Sequence, residues 1–230
     1  MTNILSFPDP SGWDGPLVPP DPARPTLSEV WAPPFDGAAV GFVLAALGPA
    51  ADPASPKPIL WVQERLSATE AGRPYGTFSA RPAIHVRTSR VSDALAAMEM
   101  GLSCPSLCAV VGEIWGPAPR LDFTATKRLA LRAEASGIPC WLIRRAAEPA
   151  LSAARERWRV TALPSMPDPF DPRAPGAPRW RAELFRSRAG RPSIWIAGHD
   201  HPEDRLDLVA AVGDRAMVGD ADARPGRAAR

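Results

Sequence analysis

Short apolar runs without polar alternation recur along this chain, and helical stretches separate them. The runs are Leu27–Trp31, Ile59–Gln63, Ala83–Thr88, Leu107–Ile114 and Cys140–Ile143. Gly37–Leu47 reads as a nearly all-apolar helix stopped by Gly48-Pro49, and Val91–Leu102 carries an apolar stripe at Val91, Leu95, Met98 and Leu102. Thr124–Ser136 is a third helix, ended by Gly137 and Pro139. Strands that are apolar on both sides must be covered on both sides, which is the condition of a parallel sheet wrapped by helices. From Arg155 the rhythm changes to period two with no helix between, over Arg155–Leu163, Arg179–Arg188 and Ser193–Ala197. That pattern predicts an antiparallel extension of the sheet. The fold class is α/β: a mostly parallel sheet with helices on both faces and an antiparallel C-terminal extension.

Three segments follow from this pattern. Residues 1–26 are Pro-rich (Phe7-Pro-Asp-Pro, Leu17-Val-Pro-Pro-Asp-Pro) and read as an extended arm, because Pro lacks the amide donor and restricts its predecessor. Residues 27–198 hold the α/β domain. In residues 199–230, Pro202–Val212 reads as a helix with acids at its start and a narrow apolar stripe of Leu206, Val209 and Ala210, followed by a frayed tail. No apolar run reaches membrane-spanning length, and Met1 to Pro34 carries Pro and Asp where a signal peptide needs a basic start, so a soluble cytoplasmic protein is expected. Three cysteines (Cys104, Cys108, Cys140) do not make a disulfide framework, and none has a partner at zinc spacing. No metal is expected.

Net charge is only +2, yet it is unevenly placed. Residues 1–60 are net −4 and 61–119 are neutral, while 120–191 carry fifteen bases against seven acids and 192–230 are net −2. Of the 27 bases, only Lys57 and Lys127 are lysine.

The first strand, turn and helix stand where a phosphate loop would sit in a parallel sheet. Such a loop needs Gly-x-x-x-x-Gly-Lys-Ser/Thr, so that amides wrap the phosphates, Lys neutralises them and the hydroxyl holds magnesium. Laid on Ala32–Ala39, only Gly37 survives; Ala38 takes the Lys position and Ala39 the hydroxyl position. Pro33 and Pro34 remove two amide donors, and Asp36 adds negative charge facing the place of a triphosphate. Glu113, after Gly112, and Glu64, at the end of Ile59–Gln63, stand where a magnesium-holding acid and a water-activating acid would be. Without their cationic and hydroxyl partners, both read as vestigial or structural. No ATP hydrolysis, no catalytic residue and no cofactor are expected.

Several pieces in combination resemble one family: Leu27-Ser-Glu-Val-Trp31, the Gly37-Ala-Ala-Val-Gly-Phe helix, Ile59-Leu-Trp-Val-Gln63, Gly72-Arg-Pro-Tyr-Gly76, Ala94-Leu-Ala-Ala-Met-Glu99, Ala109-Val-Val-Gly-Glu113, Ser152-Ala-Ala-Arg-Glu-Arg-Trp-Arg-Val160 and Arg188-Ala-Gly-Arg-Pro192. Over residues 27 to 198 the chain is similar to ImuA, the RecA-like protein of bacterial mutagenesis cassettes. The resemblance implies a RecA-like fold and a non-catalytic accessory role in damage-induced translesion synthesis. It implies an ImuB-type, polymerase-like partner, with RecA, an error-prone DnaE-type polymerase and DNA as further candidate partners. A SulA-like inhibitor of cell division is the alternative that the same ancestry implies.

Two surfaces are candidates for contact. Arg155, Arg157 and Arg159 share one side of their strand, and Arg179 and Arg181 one side of the next. If the strands pair with these sides aligned, five guanidiniums lie on one surface, joined by Arg186, Arg188 and Arg191, in an arrangement suited to phosphates. The bland reading of the same residues is a solvated face. The C-terminal stripe of Leu206, Val209 and Ala210 is the candidate partner contact, since the resemblance places ImuB binding in the C-terminal part. Trp141, Trp158, Trp180 and Trp195 read as core, His85 as a hydrogen-bonded core histidine within a strand, and His199-Asp200-His201 as a surface turn, while Tyr75 is left without a role.

Overall fold

The computed structural model describes residue 21 and residues 23–74, 81–171, 173–188, 190–200 and 202–210. Most of the expected N-terminal arm, Tyr75, His201 and the tail after 210 lie outside the described residues. Nine strands and four helices follow in the order β1 (Leu27–Ala32), α1 (Ala38–Ala46), β2 (Ile59–Glu64), α2 (Arg65–Glu70), β3 (Ala83–Thr88), α3 (Val91–Gly101), β4 (Ala109–Trp115), α4 (Phe123–Ser136), β5 (Cys140–Arg145), β6 (Glu156–Leu163), β7 (Arg179–Ser187), β8 (Ser193–Asp200) and β9 (Arg205–Ala210) among the described residues.

All nine strands join one sheet in the order β3-β2-β4-β5-β1-β6-β7-β8-β9. The first six in that order run parallel, and β7, β8 and β9 add antiparallel. β6 therefore corrects the expectation that the antiparallel part begins at Arg155: it pairs parallel with β1 through Val30↔Trp158 and turns the sheet antiparallel only at its other edge. Its period-two pattern arises because helices cover only one of its faces along most of its length.

The absence of alternation in the central strands has the expected cause. Ile59 and Trp61 of β2 face one apolar cluster with Val111, Trp141 and Phe42, while Leu60 and Val62 face another with Met98, Leu129 and Leu142. α1 packs on the first face; α3 and α4 pack on the second. The close seating of α3 depends on Gly112 of β4, where an added Cβ would lie 2.3 Å from the Met98 sulfur. α4 begins at Asp122, whose carboxylate accepts from the Ala125 amide at 2.8 Å, and ends at Gly137, whose left-handed φ of 73° favours glycine. The four strand tryptophans expected in the core are buried there.

The helix expected over Pro202–Val212 is a strand. Arg205–Ala210 pairs antiparallel with β8, in the register Ala197↔Leu208 and His199↔Leu206. Leu206 and Leu208 pack against the α1 side of the sheet. An i, i+2 apolar pair over a ready-made sheet edge outweighs a weak helical stripe with no second helix to receive it.

Candidate functional site

The crevice at the C-terminal ends of β1, β2, β4 and β5, beside the start of α1, is closed by the chain's own side chains. Asp36 supplies the central contact: its Oδ1 accepts from the Ala38 amide at 2.8 Å and its Oδ2 from the Ala162 amide on β6 at 2.9 Å. A carboxylate thus sits on an amide at a helix N-terminus, where an anion is favoured by unpaired donors and the helix dipole. Gly37 is the N-cap residue with an ordinary φ of −73°, and Ala38 and Ala39 are buried against the sheet.

Behind this carboxylate runs a buried polar chain. Arg145 Nε donates to Glu113 Oε1 at 2.9 Å, and the same guanidinium donates to the carbonyls of Pro34 and Asp36. Gln63 Nε2 donates to Glu113 Oε2 at 2.7 Å, while Gln63 Oε1 meets His85 Nε2 at 2.6 Å on β3. Arg145 and Glu113 are both buried. Burial, reinforced by the positive charges of Arg73 and Arg87, holds the His85 ring below its ordinary pKa, favouring the neutral imidazole. Glu64 makes a local contact instead, capping α2 through the amides of Leu66 and Ser67. Asp36, Glu113, Gln63, Arg145 and Glu64 thus each have a partner among the described residues. The sequence pointed to Glu113 and Glu64 but missed Arg145 and Gln63, whose signal was a charged or amide residue closing an otherwise apolar strand.

The expected arginine surface divides. Alignment of the two strands is as expected, with Arg159↔Glu183 and Thr161↔Arg181 opposite one another. Arg157, however, is buried and donates to Glu29 at 2.9 Å and to the Ala150 carbonyl at 2.8 Å, its guanidinium 4.6 Å above the Trp31 ring. Ser152 donates to the other Glu29 oxygen at 2.7 Å, so this cluster pins the β5–β6 connection to the sheet. Burial raises the Glu29 pKa, and Ser152, Arg157 and Arg144 pull it back. As a surface phosphate contact Arg157 is thus corrected: a buried carboxylate on the neighbouring strand required a cation, and Arg157 supplies it.

The remaining arginines differ in their neighbours. Arg159 and Arg181 share Glu183, at 3.2 and 3.4 Å, and Arg159 stacks 4.3 Å above Phe185. Arg179 reaches the Met166 sulfur at 3.2 Å, and Arg191 lies in the turn between β7 and β8. Arg155 pairs with Glu134 of α4 at 2.5 Å, which holds that carboxyl below its ordinary pKa. A one-residue bulge at Phe185 sets Arg186 opposite Arg157 rather than on the face of Leu184, and so brings Arg186 round to the α4 side. There it lines one hollow with Arg155, Arg188 and Lys127, a residue the sequence reading passed over.

The C-terminal stripe also divides. Leu206 faces α1, whereas Val209, 66% exposed, points to the opposite face, and Ala210 is exposed at the strand end. His199, expected in a surface turn, is buried in β8 and bonded to Asp204 at 2.9 Å.

Comparison with known proteins adds one relationship. The chain is 37% identical over 160 residues to Protein ImuA of Caulobacter vibrioides, strain NA1000 / CB15N, and equally to Protein ImuA of strain ATCC 19089 / CIP 103742 / CB 15. Over that stretch the chain is similar to ImuA proteins. The match covers 63% of this chain and 64% of each Caulobacter ImuA, so the chain spans less than two thirds of the curated relatives it matches. No family model matches. Among the described residues of this ImuA relative, no helix is long and apolar enough to cross a membrane.

Proposed function

We propose that this chain is a RecA-like scaffold without nucleotide chemistry, an accessory cytoplasmic member of a damage-induced mutagenesis cassette that acts in translesion synthesis by binding other macromolecules. The observation that carries this reading is Asp36, whose carboxylate already occupies the Ala38 amide where a phosphate would be received. Ala38 and Ala39 provide neither cation nor hydroxyl for a triphosphate and its magnesium. Titration of the full chain with Mg-ATP tests it. The reading expects no turnover above the buffer blank and no rise in thermal midpoint at millimolar nucleotide; hydrolysis, or micromolar affinity, overturns it.

The family points to an ImuB-type protein as the principal partner, with RecA, an error-prone DnaE-type polymerase and DNA as further ones. Strand β9 supports the placement of that protein contact, since it is an edge strand among the described residues and carries exposed Val209. Val209→Asp leaves the buried side of β9 untouched and is expected to weaken capture of the ImuB-type protein about tenfold or more. Undiminished capture by that variant removes β9 from the interface.

A further inference from the structure

Two hollows open beside α4 at the end of the sheet where β6 begins and β7 ends. The first, about 340 Å³, lies between Lys127 and Phe123 of α4 and Arg155, Arg186 and Arg188. The second, about 440 Å³, shares Arg155 and Arg188 with it and continues to Arg24. Together they form one groove, since two of its cations belong to both.

The charge along this groove is not cancelled as it is on the flat face of β6 and β7. There, Arg159 and Arg181 converge on Glu183. In the groove, the side chains of exposed Lys127, Arg186 and Arg188 make no hydrogen bond or ion pair with other described residues, and only Arg155 is matched, by Glu134. The second hollow also holds Glu156, so the excess of positive charge is greatest at the Lys127 end. That end has an apolar wall as well: Phe123 is 42% and Leu131 50% exposed there. Ser152 and Ser187 also line it, their hydroxyls engaged with Glu29 and with the Gly190 amide.

The cations and the apolar wall together select a ligand. Several fork-shaped or flexible cations lining one groove suit a repeating phosphate rather than a single anion, because each contact releases a counterion from the polymer. An exposed phenyl ring beside them suits a base face, which a duplex hides in its own stack and a single strand offers. We propose that the groove between α4 and the β6–β7 ends binds the backbone of single-stranded nucleic acid without sequence preference, with Lys127, Arg186 and Arg188 on phosphates and Phe123 against a base. The proposal rests on the reading of the chain as a partner at damaged DNA only for where such a strand would be met.

Fluorescence anisotropy of a labelled oligothymidylate of about twenty nucleotides with the full chain, across about 50–200 mM salt, tests it. The variant Lys127→Ala/Arg186→Ala/Arg188→Ala is expected to lose about tenfold or more in affinity at low salt and to flatten the log–log salt slope by about 2, three contacts at about 0.7 each. Arg159→Ala/Arg181→Ala is expected to stay within about twofold of the parent, and Phe123→Ala to weaken the single strand while leaving any duplex binding unchanged. All these side chains are at least partly solvent-exposed, and unchanged thermal midpoints confirm that each variant folds. Equal binding by the triple variant, an equal loss in the Arg159/Arg181 variant, or equal displacement by polyglutamate of matched charge overturns the proposal. The Mg-ATP and ImuB-capture experiments report separately on the scaffold reading, so either idea can fail alone.

Discussion

Arg157 and Glu29 meet at 2.9 Å across β6 and β1, both side chains almost wholly removed from water. The pair links the β6 strand to the β5–β6 connection through Ser152 and the Ala150 carbonyl. Removing Arg157 leaves a buried carboxylate without its cation, which typically costs about 3–5 kcal/mol. Arg157→Ala should lower stability by that order in chemical denaturation. The double variant Arg157→Met/Glu29→Gln should recover much of the loss, because it leaves no uncompensated charge.

Asp36, just before the N-cap Gly37, accepts the first amide of α1 and the Ala162 amide at once. Asp36→Ala should destabilise the chain by about 1–2 kcal/mol, the usual range for a lost helix cap. Asp36→Asn should keep most of that stability, since its carbonyl oxygen still accepts one amide. Thermal melts of the three proteins check the order.

Glu156 is buried at the start of β6, and burial raises its carboxyl from 4.5 to about 7, against the weaker pull of Trp158 and Arg24. Between those two pH values the folded chain holds a proton that the unfolded chain has released. This group's contribution is therefore fully present below pH 4.5 and is lost as pH rises through about 7. Glu156→Gln should flatten that part of the stability profile and gain on the order of 2 kcal/mol at pH 8 relative to the parent. Denaturant midpoints measured from pH 5 to pH 8 read the difference; parallel profiles for the two proteins contradict it.

Gly112 gives α3 its seat, and a Cβ there would strike the Met98 sulfur. Gly112→Ala should cost about 1–3 kcal/mol by overpacking. Adding Met98→Ala should restore part of it, a coupling that a double-mutant cycle measures.

Much of the sheet was legible in sequence because burial on two faces leaves an unbroken apolar run, as on β1, β2, β4 and β5; β3, expected to be buried in the same way, is instead an edge strand with Ile84 49% exposed. The end of α4 was legible for a similar local reason, as Gly137 supplies the left-handed residue that stops the helix. Helix α2 was missed: it is a short helix of 6 residues capped by Glu64, too few to show a period. β9 was misread because Leu206, Val209 and Ala210 fit a helical stripe, while the feature that decides the matter, an open edge at β8, lies outside the segment.

Sequence alone determined that the first crevice lacks the cation and hydroxyl of a phosphate loop, since those are residue identities at fixed spacing from a strand. It also determined that positive charge gathers in residues 120–191. Only the tertiary structure decided which of those charges face water. Glu29 and Glu183 come from strands chosen by sheet order, and the bulge at Phe185 turns Arg186 toward α4. A guanidinium's neighbours are set by pairing between strands distant in the chain, and neither strand encodes that pairing by itself.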